Sequence, residues 1–259
     1  MCPLSRLHDE VYNLIIIMKT IIKILYRIYQ LLIALPLFAL ITIFTAITTI
    51  IFQHWRNSWW LHDIQAFWSR SFCYLLFLPV RVTGLENIDS HTSYVFVANH
   101  QSMADVFLIY GWLPVIFKWL MKAELRKVPF IGSGCKAAGH IFVKRGNTAA
   151  ALQSLQEAER VLHDGVCTVI FPEGTRSENG QVGRFKRGAL QIALDLKLPI
   201  VPISLSGCYE VMNRHEVFAN YHPVHMHIGK PIDISTLAEE NIPTAIEQLR
   251  EAVIDGMDK

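Results

Sequence analysis

The sequence of 259 residues has no CxxC pair, and its five cysteines (Cys2, Cys73, Cys135, Cys167 and Cys208) are odd in number and scattered. That excludes a disulfide scaffold and a cysteine-built zinc site, and it fits a reducing compartment. Charge is scarce: charged residues make up 18% of the chain and the formal net charge is +2. So mild a bias does not select nucleic acid as a partner. Internal repeats and low-complexity tracts are missing too. With 52% of residues in the AVILMFWYC set, extensive disorder is excluded.

What is present is unevenly spread. Residues 31–52 contain no charged side chain, and as a helix they would measure about 33 Å, the thickness of a bilayer core. Pro36 interrupts this run, but proline is tolerated in membrane helices. Phe52-Gln53-His54-Trp55-Arg56 follows where a signal peptide would show a small-residue cleavage site. Upstream, Lys19, Lys23 and Arg27 recur every four residues beside Ile15, Ile16, Ile22, Leu25, Ile28 and Tyr29. This pattern predicts a membrane-surface helix whose cations meet anionic headgroups. A second apolar stretch, 59–80, is broken by Asp63 and Arg70; it either returns through the membrane or lies in the interface. The chain is therefore expected to divide into membrane-anchoring helices over 1–80 and a catalytic-sized domain over 81–259. The basic amino-terminal flank favours a cytoplasmic start; a hairpin or re-entrant arrangement then leaves the domain facing the cytoplasm from the inner membrane, whereas a single crossing would export it.

From residue 81 short β-like runs alternate with helical patterns. The strand candidates are 94–98, 115–120, 141–143, 166–171 and 200–205. The spacing of Leu152, Leu155, Ala158, Val161 and Leu162 predicts a helix between the third and fourth. Further helices are expected over 184–197 and from Pro243 to about Gly256. This order predicts an α/β fold with a mixed, largely parallel sheet flanked by helices.

In such sheets chemistry gathers beyond the carboxyl ends of strands. The first strand runs into Asn99-His100-Gln101-Ser102-Met103-Ala104-Asp105, the fourth into Pro172-Glu173-Gly174-Thr175-Arg176, and the third into Lys144-Arg145-Gly146. Five residues apart on one helix, His100 and Asp105 would point about 140° apart. They meet only if His100 lies in the loop and Asp105 in the first helical turn, with Ser102 as the boundary. The pair then reads either as a helix cap beside a loop histidine or as a catalytic dyad, the carboxylate fixing the imidazole tautomer. No serine or cysteine in a nucleophile-elbow motif accompanies it, so the imidazole would activate a substrate hydroxyl directly. Around Gly174 the backbone is free to approach a ligand, and Arg176 suits phosphate. The bland alternative is a tight turn with a Glu173–Arg176 surface pair. His222, His225 and His227 lack cysteine or acidic company, so no metal is expected.

The blocks Asn99 to Asp105 and Phe171 to Arg176 resemble the HX4D and FPEGTR motifs of the glycerophospholipid acyltransferases. Gly139 to Arg145 and Leu198 to Ile203 resemble that family's second and fourth blocks, in family order, and Phe185 to Ala189 is similar to the segment after the third. The lysophosphatidate acyltransferase branch is the one resembled. The resemblance implies a glycerol-3-phosphate acyltransferase-like fold. It implies transfer of an acyl chain from acyl-CoA or acyl carrier protein, a co-substrate and not a cofactor, to the sn-2 hydroxyl of 1-acylglycerol 3-phosphate, giving phosphatidic acid. His100 would be the general base and Asp105 its orienting partner. Glu173, Gly174, Thr175 and Arg176 would hold the glycerol phosphate, with Arg145 a second phosphate contact. Another acceptor (glycerol 3-phosphate, a different lysophospholipid or a lyso-aminolipid) and a non-catalytic lipid-binding role are the alternatives. The implied partners are a membrane lipid, the thioester donor and the bilayer, with no nucleic acid.

Overall fold

In the computed structural model, residues 3–143, 160–234, 237 and 239–257 are described. Two compact units divide the chain, 1–40 and 41–259. The first consists of helix α1 (Pro3–Tyr29), a π turn (Gln30–Ala34) and the start of helix α2 (Leu35–Ile51). Pro36 explains the π turn. It has no N–H to donate and its ring crowds the carbonyl four residues back, so the preceding turn widens. Leu35 N–H accordingly reaches back five residues to the Gln30 carbonyl. Leu31, Leu32, Ile33, Leu35, Leu37 and Leu40 all face outward. Among the described residues one helix, Glu10–Ile51, is long and apolar enough by length and composition to cross a membrane.

The second unit is built on seven strands: β1 (Val80–Thr83), β2 (Val95–Ala98), β3 (Phe117–Lys122), β4 (Ile141–Val143), β5 (Cys167–Ile170), β6 (Ile200–Ser206) and β7 (Val224–Ile228). They are ordered β1-β7-β6-β2-β5-β3-β4. β2 pairs in parallel with both β5 and β6, β3 in parallel with β5 and β4, and β7 runs antiparallel to β6. The sheet is therefore mixed and mostly parallel, flanked by helices, as the alternating pattern predicts. Every residue of β2 and β5 is buried, as expected for strands covered on both faces. The five expected strands are present with ends shifted by up to two residues. The expected helices appear as Arg187–Leu196 and Ile242–Gly256, while the one expected after Asn147 begins outside the described residues.

Helix α3 (Trp59–Leu75) packs on helix α4 (Ala104–Trp112). Its inward face, Leu61, His62, Gln65, Ala66, Ser69 and Cys73, is rich in small and polar side chains. Ser69 Oγ donates to the Phe107 carbonyl at 2.8 Å, and Arg70 Nε donates to the Gly111 carbonyl at the end of α4. The apolar stretch beginning at Trp59 is thus a helix laid on the sheet domain. Phe96, Phe117, Leu108, Ile109, Ile203 and Met226 are among its largest fully buried side chains, and each contributes roughly 1.5–3 kcal/mol of burial.

Candidate active site

β2 ends at Ala98 and α4 starts at Ala104, so His100 lies in the intervening loop and Asp105 in the first helical turn. Their side chains meet: His100 Nδ1 to Asp105 Oδ2 is 2.9 Å. The same oxygen accepts the backbone N–H groups of Gln101 at 2.6 Å and Ser102 at 2.8 Å. Asp105 therefore reaches back to cap its own helix while holding the imidazole, so the two readings of the spacing describe one arrangement. Ser102 marks the helix boundary that its position suggests, completing a capping box with Asp105. Its Oγ accepts Ala104 N–H at 3.0 Å and donates to the Met212 carbonyl at 2.6 Å. Asp105 is fully buried, whereas the His100 side chain keeps 18% of its surface.

With Nδ1–H directed at the carboxylate, the tautomer leaves Nε2 as an acceptor. That nitrogen has no hydrogen-bond partner among the described residues. The ring is stacked on Phe171, centroids 4.0 Å apart at 12°, and Phe171 stacks in turn on Trp119 at 5.4 Å. A stack of this kind limits how the imidazole can turn.

Glu173 is buried. Its Oε1 accepts His100 N–H at 2.8 Å and its Oε2 accepts Gly183 N–H at 2.8 Å. Burial pushes its pKa up, and the two amide hydrogen bonds oppose that rise. No ion pair joins this carboxylate to Arg176; it braces the backbone of the histidine loop. Beside it, Ser177 N–H donates to the His100 carbonyl at 2.8 Å, tying the Arg176 loop after β5 to the histidine loop. Gly174 has φ +74°, and a Cβ placed there would lie 2.7 Å from Lys186 Nζ. Arg176 is half-buried and Thr175 exposed, and no described residue forms an ion pair with the Arg176 guanidinium. Arg145, the second expected cation, lies outside the described residues.

Lys122 ends β3 exposed, 3.9 Å from Glu124. Phe117 and Trp119 are ordinary core. His225 and His227 both contact the Thr83 hydroxyl, at 3.0 and 2.9 Å. Sequence reasoning missed the bracing role of Glu173, because the amides it receives belong to His100 and Gly183, outside its own segment.

The acyltransferase family profile matches residues 79–206. Over 190 residues the chain is 32% identical to the 1-acyl-sn-glycerol-3-phosphate acyltransferase of Cocos nucifera, covering 73% of this chain and 61% of that protein. Over 182 residues it is 31% identical to the human 1-acyl-sn-glycerol-3-phosphate acyltransferase alpha, covering 70% and 64%. The chain thus spans less than two thirds of the length of these relatives. The crystal structure of the 1-acyl-sn-glycerophosphate (LPA) acyltransferase PlsC from Thermotoga maritima superposes with a TM-score of 0.73 at 26% identity, covering 89% of this chain and 97% of that one.

Proposed function

We propose, for a chain whose residues 79–206 belong to the acyltransferase family, that it transfers an acyl group from a thioester to the sn-2 hydroxyl of 1-acyl-sn-glycerol 3-phosphate, forming phosphatidic acid. One observation carries this reading: an imidazole held through Nδ1 by a buried carboxylate, with Nε2 turned outward. Nε2 takes the proton of the acceptor hydroxyl as its oxygen attacks the thioester carbonyl. The C–S bond then breaks and the thiolate leaves with the proton carried by the imidazolium. Asp105 keeps the ring in the right tautomer and stabilises its charged form. Glu173 positions the loop through the His100 amide and stands with Gly174 and Arg176 at the acceptor's glycerol phosphate. Arg176 provides a planar fork for the acceptor's phosphate, Gly174 and Thr175 shape the approach to it, and Arg145 is the second phosphate contact.

The acceptor is a lipid, and the Glu10–Ile51 helix suits a protein held in a bilayer. Phe52, Trp55 and Trp60 cluster where that helix ends, with ring centroids 5.3 to 6.5 Å apart, and such aromatic groups favour the membrane–water boundary. The basic flank favours a cytoplasmic start at the inner membrane, and the sheet domain stays on that side when the Glu10–Ile51 helix re-enters the bilayer rather than crossing it.

The experiment is a donor–acceptor matrix on the purified chain. Acyl-CoA and acyl carrier protein thioesters would each be offered lysophosphatidate, glycerol 3-phosphate, other lysophospholipids and a phosphate-free lysolipid. Lysophosphatidate should be the best acceptor. A better rate with the phosphate-free lysolipid would overturn the reading, because it would leave Arg176 without a task.

A further inference from the structure

After β3 the chain forms a 3-10 turn, Ala123–Lys127, and then helix α5, Ile131–Ala137. Between and on these elements Leu125, Val128, Phe130 and Ile131 are exposed at 42%, 38%, 53% and 45%. Single exposed apolar residues are ordinary; four within seven positions form a patch. Nor is it a loose loop. Val128 N–H donates to the Leu125 carbonyl at 3.1 Å and Gly132 N–H to the Val128 carbonyl at 2.8 Å. A Cβ on Gly132 would lie 2.2 Å from the Arg126 carbonyl oxygen, so the turn closes tightly on a glycine. Phe130 has φ +60°, a value that residues with a side chain seldom adopt. Rigid backbone and strain are both spent on holding apolar groups outward.

The chemistry around the patch identifies what covers it. Residues 122–136 carry Lys122, Arg126, Lys127 and Lys136 against the single acid Glu124, in a chain whose overall charge is only +2. Apolar side chains rimmed by cations match the boundary of an anionic bilayer, acyl chains below and phosphates above. The patch also continues onto the membrane helix. Phe130 and Ile131 line one narrow cavity of about 80 Å³ together with Thr42, Thr45 and Ala46 of α2.

We infer that the segment 123–131 is a second, monotopic membrane contact, separate from the Glu10–Ile51 helix, in which Leu125, Val128, Phe130 and Ile131 enter the headgroup–acyl boundary of an anionic bilayer. It rests on the reading of the chain as a membrane-bound acyltransferase. The contact fixes the height of the sheet domain above the lipid and so the supply of acceptor to His100.

The test places the photocrosslinker p-benzoylphenylalanine at residue 130, at 125, or at Val217, which is 86% exposed far along the chain. The full chain is reconstituted in vesicles of phosphatidylcholine with or without phosphatidylglycerol. Lipid adducts should form at 130 and 125 and not at 217, with higher yield in the anionic vesicles. Adducts to a second protein chain, no lipid adduct at 130, or equal yield at 130 and 217 would overturn the inference. A paired measurement uses Leu125→Asp/Phe130→Asp. Transfer to vesicle-borne acceptor should fall about tenfold, equivalent to ~1.4 kcal/mol, while transfer in detergent micelles is kept. Equal losses in vesicles and micelles would mean damage to the fold or site and would overturn the claim. Lipid adducts at 130 in a chain that transfers no acyl group would sink the proposed activity and leave the docking surface standing.

Discussion

Two groups of buried polar side chains lie in the sheet unit. The first sits at the carboxyl ends of β2 and β5. The second lies under α3, α4 and α5: Lys118 donates to the Arg56 and Ala138 carbonyls at 2.9 and 2.8 Å, Tyr110 donates to Gln65 at 2.7 Å, and His140 accepts Trp119 N–H at 3.3 Å. In this second group burial moves several titrating groups far from their ordinary values. His62 is pushed down to about 4 by burial, His140 to about 3 by burial and the Lys118 charge, and Lys118 to about 7 by burial and Arg56. Yet nothing there offers a reactant an open nitrogen beside a charge partner. In the first group the ring nitrogen is presented outward while its mate is held by a carboxylate. Perturbed titration marks a site only when it comes with access and a committed partner; here it marks a structural knot.

His100→Ala breaks this contrast at its strongest point. General base catalysis is worth about 10²–10⁴-fold, and kcat/KM for acyl transfer should fall by that factor. The circular dichroism spectrum and melting temperature should hardly change, because the ring is only part-buried and Asp105 still caps α4 through two amides. Turnover within about twofold of the parent would remove His100 as the base, since a lost base cannot leave the barrier so nearly intact.

The opposite behaviour is expected of the second group. His62 and His140 are neutral in the folded protein and have lower pKa values than in the unfolded chain. Between pH 6.5 and about 4 the unfolded state therefore binds more protons, and stability rises with pH. Acidifying through that window should cost ~1.4 kcal/mol per pH unit for each histidine. Lys118 adds nothing there, since its own window lies above about 7. His140→Gln keeps an acceptor for Trp119 N–H and should flatten the slope of melting temperature against pH, a buried titrating group being removed. An unchanged slope would mean that the knot is not what acid attacks.

The two groups were also unequally legible in the sequence. His100 and Asp105 are five residues apart, and one strand end followed by one helix start brings them together, so local reasoning reaches the contact. β2 is an uninterrupted apolar run, β5 and β6 are mostly apolar with few polar residues, and all three announce themselves as buried strands. β1 and β7 do not: Val80-Arg81-Val82-Thr83 is four residues long and half polar, and it becomes a strand only because β7 is there to pair with it. The knot is less visible still. Lys118 reads as a charged residue in a strand, and His62 is overshadowed by Asp63, which breaks the apolar stretch beside it. Only the packing of α3 and α5 over β3 makes them buried. Glu173 was seen for its charge, but its task is to receive two amides contributed by residues 73 positions back and 10 ahead, which no local pattern records.

Arg176 sharpens the comparison from the cation side. Lys118 is spent on two carbonyls, whereas the Arg176 guanidinium has no ion pair with a described residue. A hydrogen bond to a charged group contributes about 1.5–3 kcal/mol, so Arg176→Ala should raise the acceptor KM by roughly 10- to 100-fold with kcat nearly unchanged. Arg176→Lys should restore only part, because an ammonium cannot make the bidentate contact. A fall in kcat with unchanged KM would count against phosphate binding.

The smallest effect separates a turn from a ligand cradle. Gly174 adopts φ +74°, where a side chain costs about 1–2 kcal/mol. The atom nearest to a new Cβ is the far end of Lys186, at 2.7 Å, and a flexible ammonium can move aside. Gly174→Ala should therefore fold with a slightly lower melting temperature. If the backbone at 174 merely turns the chain, the kinetic constants will stay as they were. If it passes beneath the acceptor's phosphate, the methyl group and the displaced Lys186 will weaken acceptor binding, and KM should rise by less than about tenfold, as befits a loss under ~1.4 kcal/mol. Wild-type kinetics in a protein destabilised by that amount would reduce Gly174 to a turn residue and leave Arg176 to recognise the phosphate without it.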